Sequence, residues 1–141
     1  MRVSVAPYLF FDGNCEQVLK FYQTALGGDL RLQRYSNLPS TGDHHQVLPN
    51  DWNDKILHGS LFLPTNNNEL LLMACDHREK GKVHGGYSLS VSVDDPEQGQ
   101  HIFKALSEGG KVLMKYDKTF WARGYGMLED QFGITWQVNC H

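Results

Sequence analysis

Residues 12–28, DGNCEQVLKFYQTALGG, and residues 94–110, DDPEQGQHIFKALSEGG, decide the fold of this chain. A single shift of 82 positions superimposes the two segments without a gap and brings identical residues together. The coinciding pairs are Asp12 with Asp94, Phe21 with Phe103, and Gly27-Gly28 with Gly109-Gly110. Because these pairs fall at a strand end, on a helix face and at a helix stop, they predict an internal duplication.

Each copy is predicted to be a strand, a helix and three further strands. Apolar residues at helical spacing predict a first helix from Cys15 to Leu26, with Asn14 and Gln17 as a capping box. Asp95-Pro96 predicts the start of the second helix, and each glycine pair predicts a helix end. Strands are predicted at 3–11, 30–35, 56–63 and 70–75, then at 87–93, 112–116, 124–129 and 134–140.

This order of elements predicts an α+β fold in which two βαβββ modules form a curved mixed sheet around a cleft, with the helices outside. We expect a single domain over residues 1–141, with module 1 at about 1–76, a linker at about 77–86 and module 2 at about 87–141. Pro39, Gly42, Pro49 and many polar residues predict a long loop over 37–54.

Composition excludes several classes of protein. The 141 residues have a net charge of −3 with both signs interspersed, so no footprint for nucleic acid or an anionic membrane appears. No apolar run approaches the roughly 20 residues of a membrane span, and the first residues lack a signal-peptide pattern. Cys15, Cys75 and Cys140 are odd in number and lie in apolar segments, which favours buried free thiols. We therefore expect a cytoplasmic protein with no nucleic-acid or membrane partner.

Two motifs carry a resemblance to a known family. The opening motif is PYLFFDGNC at 7–15, followed by Phe21-Tyr22 and Leu26-Gly27-Gly28, and the closing motif is FWARGYG at 120–126, followed by DQFG at 130–133 and Trp136. Both resemble the PhnB-like family of the glyoxalase/bleomycin-resistance/dioxygenase (vicinal oxygen chelate) superfamily, over essentially the whole chain. The resemblance implies paired βαβββ modules and a homodimer. Some relatives carry a 3-demethylubiquinone methyltransferase label, but Asp12-Gly13-Asn14 lacks the glycine-rich turn that cradles such a cofactor.

The resemblance also implies where a metal ion would be bound in metal-dependent relatives, namely by His or Glu from the first and last strands of each module. The matching positions here are Pro7, Leu72 or Met73, Ser88 and Gln137. None of these side chains is a strong ligand for a divalent ion, so we expect neither this metal site nor another cofactor. An alternative site using His58 and Glu129 stays open.

Polar and aromatic residues are predicted to line the cleft. On the last strand, Ile134, Trp136 and Val138 share one face, while Thr135, Gln137 and Asn139 share the other. The apolar set is expected to pack beneath a helix and the polar set to face the cleft. The predicted ligand-binding residues are Pro7, Met73, Ser88, Trp121, Arg123, Tyr125 and Gln137. The aromatic rings and the arginine suit a flat or anionic ligand, although Trp121 could equally serve core or dimer packing.

Two functions remain open at this point. The first is a metal-free protein that binds a small organic ligand in its cleft. The second is a lyase, isomerase or oxygenase that uses an unconventional metal site or acid–base chemistry by His58 and Glu129. His58 could instead be a structural strand histidine, and Glu129 could simply pair with Arg123, so whether the protein is an enzyme stays undecided.

Overall fold

The computed structural model describes residues 3–37, 52–64, 69–77 and 83–141. The chain divides into two compact units, Met1–Lys80 and Gly81–His141, which are described separately. Most of the predicted loop at 37–54 and part of the predicted linker at 77–86 lie outside the described residues. Within the described ranges, no helix has the length and apolarity needed to cross a membrane.

Unit 1 is one four-stranded mixed sheet with a helix on one face. Its elements are β1 (Tyr8–Phe11), α1 (Cys15–Leu26), β2 (Asp29–Arg34), a 3-10 turn (Tyr35–Asn37), β3 (Ile56–Phe62) and β4 (Leu70–Asp76). The strands lie in the order β1-β4-β3-β2. β1 runs parallel to β4, whereas the other two pairs are antiparallel.

Unit 2 repeats this topology. Its elements are β5 (Leu89–Val93), α2 (Pro96–Ser107), β6 (Lys111–Asp117), β7 (Gly124–Glu129) and β8 (Thr135–Cys140). The strand order is β5-β8-β7-β6, and β5 is parallel to β8. The predicted α+β fold of two βαβββ modules is therefore confirmed, and each module forms its own four-stranded sheet.

The start of α1 differs from the sequence prediction. Asn14 occupies the N-cap position but makes no side-chain capping hydrogen bond, so the predicted capping box is wrong. Asp76, at the end of β4, takes over this role. Its Oδ1 atom accepts hydrogen bonds from the backbone N–H groups of Gly13 and Cys15, each at 2.9 Å, and its Oδ2 atom accepts one from Ile56 N at 2.9 Å. One buried carboxylate thus joins β1, α1, β3 and β4.

The buried face of α1 also corrects one predicted repeat match. α1 buries Cys15, Val18, Leu19 and Tyr22, and α2 buries Gly99, Ile102, Phe103 and Leu106. These two faces have the same spacing but lie 84 positions apart, from Cys15 to Gly99. The partner of Phe103 on the helix face is therefore Leu19, whereas Phe21 is only partly buried.

Truncating these two α1 residues should have unequal effects. Leu19 is fully buried, so Leu19→Ala is expected to lower the free energy of unfolding by about 3 kcal/mol. Phe21→Ala should cost about 1 kcal/mol, because the ring is partly exposed to begin with. Urea denaturation of both variants measures the difference, and equal losses would contradict the assigned helix face.

An ion pair between α1 and β2 makes stability depend on pH. Arg34 donates from Nη1 and Nη2 to the two carboxylate oxygens of Glu16, each at 2.9 Å, and Lys20 lies 2.9 Å from the same carboxylate. The hydrogen bonds from Arg34 and then Lys20 lower the pKa of Glu16 from 4.5 to about 2. Because the folded-state pKa is the lower one, this stabilisation is complete above about pH 4.5 and is lost as the pH falls towards 2.

Glu16→Gln is expected to reduce stability at pH 7 by about 1 kcal/mol, since the pair is partly exposed to solvent. Thermal unfolding of the variant and the parent at a series of pH values from 7 to 3 measures this difference. The difference in stability between the variant and the parent should stay constant down to about pH 4.5 and decrease below that pH. If the difference did not change with pH, the loss of stability would come from packing rather than from charge.

Candidate functional site

The sheet face of unit 1 that points away from α1 is partly exposed to solvent. On β1, Leu9 and Phe11 are buried, whereas Tyr8 is 38% exposed and Phe10 is 52% exposed. Side chains alternate along a strand, so Tyr8 and Phe10 share the face opposite the helix. We call this surface the open face of unit 1.

The strand register places four residues in one row across the open face. Tyr8 pairs with Met73, Met73 pairs with Ser60, and Ser60 pairs with Arg31. The row crosses all four strands from β1 to β2, so residues far apart in sequence become neighbours. Met73, predicted from the sequence to bind ligand, lies between Tyr8 and Ser60.

His58 is held at both ring nitrogens on this face. Its Nδ1 atom lies 3.1 Å from the Tyr8 hydroxyl, and its Nε2 atom lies 3.0 Å from Ser60 Oγ. The Tyr8 and His58 rings also contact each other, with centroids 5.6 Å apart. The sequence singled out His58, and the structure assembles Tyr8 and Ser60 around it.

Two groups beside His58 keep their protons at neutral pH. Burial, followed by the neighbouring Cys75, raises the pKa of the Tyr8 phenol well above its usual value. Burial also raises the pKa of the Cys75 thiol, while a hydrogen bond from Tyr8 acts in the opposite direction. Tyr8 therefore remains a neutral hydroxyl that can donate one hydrogen bond and accept others.

The β2 edge of the open face adds polar groups. Gln33 pairs with His58 across β2 and β3. The guanidinium of Arg31 lies 4.4 Å from the centre of the Phe62 ring and 3.4 Å from Asp29 Oδ2. Because 61% of the Arg31 side chain is exposed, its charge stays available to an anionic group from solvent.

Unit 2 also has a polar face opposite its helix. Trp136, Val138 and Cys140 on β8 are buried, while Thr135, Gln137 and Asn139 alternate with them and are partly exposed, as predicted. Gln137 Nε2 donates to Ser88 Oγ at 3.1 Å. Among the described residues, the side-chain oxygen of Asn139 is buried without a hydrogen-bond partner. This face therefore combines a connected amide–hydroxyl pair with an acceptor that has no partner within the described protein.

Aromatic residues flank the polar face of unit 2. Trp121 contacts Tyr125 with ring centroids 5.6 Å apart and contacts Phe120 at 4.7 Å. Phe120 is 98% exposed and Trp121 is 48% exposed, so neither ring belongs to the core of its unit. Arg123 donates from Nε to the His141 carbonyl and from Nη2 to the Asp94 carbonyl, each at 2.7 Å, which fixes its guanidinium at this end of the sheet.

The remaining predicted site residues lie as follows. Pro7 directly precedes β1, and its carbonyl accepts a hydrogen bond from Met73 N at 3.0 Å. Glu129 ends β7, is partly exposed, and pairs with Lys111 and Thr135 across the sheet. His58 and Glu129 belong to different units, so each is described with its own neighbours.

The sequence prediction did not include Tyr8 or Ser60. Ser60 could have been found, because a residue two positions after a strand histidine lies on the same face. Tyr8 could not, because its approach to His58 depends on the pairing of β1, β4 and β3, which the sequence does not reveal.

The residues that correspond to the metal ligands of metal-dependent relatives are not suited to binding a divalent ion. Pro7 has no donor side chain, Met73 offers only a thioether, and Ser88 and Gln137 hydrogen-bond to each other. Among the residues that the structure describes, no three His, Cys, Asp or Glu side chains form a group that could hold a metal ion.

Fold and faces together define a protein built from paired βαβββ modules, each with a helix on one side of its sheet and polar groups on the other. The family model of the Glyoxalase/Bleomycin resistance protein/Dioxygenase superfamily matches residues 4–138. The chain belongs to this superfamily, which confirms the family resemblance found in the sequence.

Relatives with similar sequences and structures support this assignment. The chain is 30% identical to Protein YjdN from Escherichia coli strain K12, covering 96% of this chain and 93% of that protein. Protein PA1353 from Pseudomonas aeruginosa is 35% identical, with a TM-score of 0.82 over 99% of this chain and 98% of the other. A PhnB protein from Bacillus cereus, named a putative 3-demethylubiquinone-9 3-methyltransferase, has the same fold at 20% identity, a TM-score of 0.74 and coverage of 99% and 100%.

Proposed function

We propose that this protein binds small organic ligands on the polar sheet face of each unit, without the metal ion used by metal-dependent relatives. We further infer that it acts in the cytoplasm as a homodimer. The observation that carries the proposal is the hydrogen-bonded group of Tyr8, His58 and Ser60 on a partly exposed sheet face.

The open face of unit 1 supports recognition of a compact, polar ligand. His58 and Ser60 offer hydrogen-bonding atoms, while Met73 and Phe62 offer apolar contact area. Arg31 supplies an exposed positive charge next to the Phe62 ring. Ligand sites commonly combine apolar walls with a small number of placed polar groups, and this face has that composition.

The polar face of unit 2 would bind a ligand through the predicted residues Ser88, Gln137, Trp121, Tyr125 and Arg123. The Ser88–Gln137 pair can give and accept hydrogen bonds, and the exposed Trp121 ring can stack on a flat group. The side-chain oxygen of Asn139, which has no hydrogen-bond partner among the described residues, is a further acceptor.

The methyltransferase activity for which the Bacillus cereus protein is named is not part of this proposal. In this chain the backbone N–H groups of Gly13 and Cys15 at the start of α1 bind the Asp76 carboxylate. A strand-to-helix turn that cradles a nucleotide cofactor would instead direct such groups towards the ligand.

The alternative is a lyase, isomerase or oxygenase that uses His58 and Glu129 or an unconventional metal site. His58 favours this alternative because both its ring nitrogens have hydrogen-bonding partners, as expected for an oriented acid–base group. Elemental mass spectrometry of the purified, untagged protein tests the metal branch. About one tightly held divalent ion per chain would support the metal branch and contradict the metal-free proposal.

Ligand binding is tested with a library of small carboxylates and flat aromatic compounds, screened by ligand-observed NMR. Compounds that bind the parent protein should lose affinity about tenfold or more in His58→Ala or Gln137→Leu. The matched controls are His101→Ala and Gln98→Leu, which remove exposed residues of the same types from α2. Binding that survives both site variants, or is lost equally in the controls, would refute the assigned faces.

The homodimer is tested by light scattering at micromolar concentration. A mass of twice the 16.0 kDa of one chain is expected, and a monomer would refute it.

A further inference from the structure

We propose that Ser60 is a catalytic nucleophile towards small acyl esters, with His58 as its general base and Tyr8 as the residue that positions His58. This inference rests on the proposed ligand face of unit 1 and names a reaction for it. It is carried by the geometry of one continuous chain of side chains on that face.

The three side chains have the arrangement that nucleophilic catalysis requires. Ser60 Oγ lies 3.0 Å from His58 Nε2, and His58 Nδ1 lies 3.1 Å from the Tyr8 hydroxyl. A nucleophile, a base within hydrogen-bonding distance and a third group that orients the base recur in unrelated hydrolases. Here β3 supplies the first two residues, and β1 supplies the third from across the sheet.

The proposal assigns one direction to these hydrogen bonds. The hydroxyl oxygen of Tyr8 can accept a hydrogen bond from the Nδ1–H group of His58. In that tautomer the imidazole proton is on Nδ1, and the lone pair of Nε2 faces Ser60 Oγ. That tautomer is the one in which His58 can take the proton of the Ser60 hydroxyl.

The surroundings favour a small substrate with a carbonyl group. Because Ser60 is only 8% exposed, its hydroxyl is recessed in the open face, and a bulky group could not approach it closely. Arg31 pairs with Ser60 across β2 and β3, and its exposed guanidinium packs on the ring of Phe62, two residues further along β3. In the proposed reaction this cation would turn towards the ester carbonyl and stabilise the oxyanion that forms when the carbonyl is attacked.

The reaction needs no oxidant or further cofactor. Ser60 Oγ bonds to the carbonyl carbon while its proton passes to His58 Nε2. The tetrahedral intermediate then breaks the bond to the ester oxygen, and His58 returns the proton to the leaving alcohol. A water molecule then bonds to the acyl carbon while its proton passes to His58. The bond to Ser60 Oγ breaks, Ser60 takes the proton back from His58, and the carboxylic acid leaves.

The test uses two probes on the full-length protein. A fluorophosphonate should form a stable adduct, located by peptide mass spectrometry, and p-nitrophenyl acetate reports the acylation rate as a function of pH. The adduct is expected on Ser60 and should be lost in Ser60→Ala, while His58→Ala should slow acylation about 100-fold or more. Ser36→Ala, which changes an exposed serine outside the site, is the matched control.

Tyr8→Phe tests whether Tyr8 positions His58, separately from any effect of Tyr8 on folding. The phenyl ring keeps its place against Phe10, where the centroids are 5.3 Å apart, so thermal stability should change little. Acylation should slow about tenfold, and the pH at which the rate reaches half its maximum should shift, because His58 loses its Nδ1 partner. Rates and pH profiles identical to the parent would overturn the role of Tyr8.

Two results distinguish this inference from the proposed function. If library compounds bind in a His58-dependent manner but neither probe reacts at Ser60, the inference fails and ligand binding stands. If the probes react at Ser60 while no library compound binds, the reaction stands and the ligand-binding proposal fails. Labelling of Ser60 that persists unchanged in His58→Ala would refute the assigned base.

Discussion

Replacing Asp76 with alanine is expected to lower the free energy of unfolding by about 4 kcal/mol, one of the two largest effects we predict. The Asp76 carboxylate is 1% exposed and accepts hydrogen bonds from three backbone N–H groups, those of Gly13, Cys15 and Ile56. Alanine leaves all three donors without their acceptor at a place where water has little access. Each such buried donor costs about 1–3 kcal/mol.

Asp76→Asn is a second variant, in which only one of the three hydrogen bonds loses its acceptor. The asparagine oxygen can still accept from Gly13 and Cys15, but its NH₂ group would face the Ile56 N–H, which is itself a donor. We therefore expect a loss of about 2–3 kcal/mol for this nearly isosteric change. Urea denaturation measures both variants.

Asp95→Ala is the matched control for Asp76. Asp95 caps α2 through a single exposed hydrogen bond to Glu97 N, at 3.1 Å, and its removal should cost about 1 kcal/mol. If Asp76→Ala and Asp95→Ala destabilised equally, Asp76 would be an ordinary helix cap rather than the junction of four elements.

The helices and the repeat were predictable because they depend on local patterns. Spacing of apolar residues located α1 and α2, and the alternation on β8 correctly assigned Trp136 and Val138 to the buried side. The glycine pairs correctly marked both helix ends. Each helix and strand pattern needs only neighbours in the chain, and the repeat follows from comparing two such local patterns 82 positions apart.

Features that depend on strand pairing were not predictable in the same way. The sequence suggested Asn14 as the cap of α1, whereas the acceptor is Asp76, which lies 61 residues after Cys15. Phe21 coincides with Phe103 under the repeat shift, but the buried face of α1 runs through Leu19 instead. The neighbours of His58 likewise follow from the register of β1, β4 and β3. The spacing of residues within one segment does not reveal which distant residue the sheet places next to that segment.

The second large effect concerns the glycines that follow each helix, and Gly28→Ala is expected to cost about 3–4 kcal/mol. Gly28 has φ +106°, a conformation that side chains rarely adopt, and a Cβ atom there would collide with the Phe62 carbonyl at the end of β3. Gly110, its match under the repeat shift, is packed in the same way against the Glu129 carbonyl at the end of β7. Gly110→Ala should cost about 2–3 kcal/mol, since only the collision opposes it.

Gly85→Ala separates these collisions from the general effect of adding a methyl group. A Cβ atom at Gly85 meets nothing within 4 Å, so this variant should stay within about 0.5 kcal/mol of the parent in urea denaturation. Large losses at both Gly28 and Gly110 would mean that the two modules use the same close approach of helix end to strand end, as a duplication requires. A loss at one glycine alone would mean that the matching glycine pairs do not reflect matching structure, and the repeat would then rest on strand topology alone.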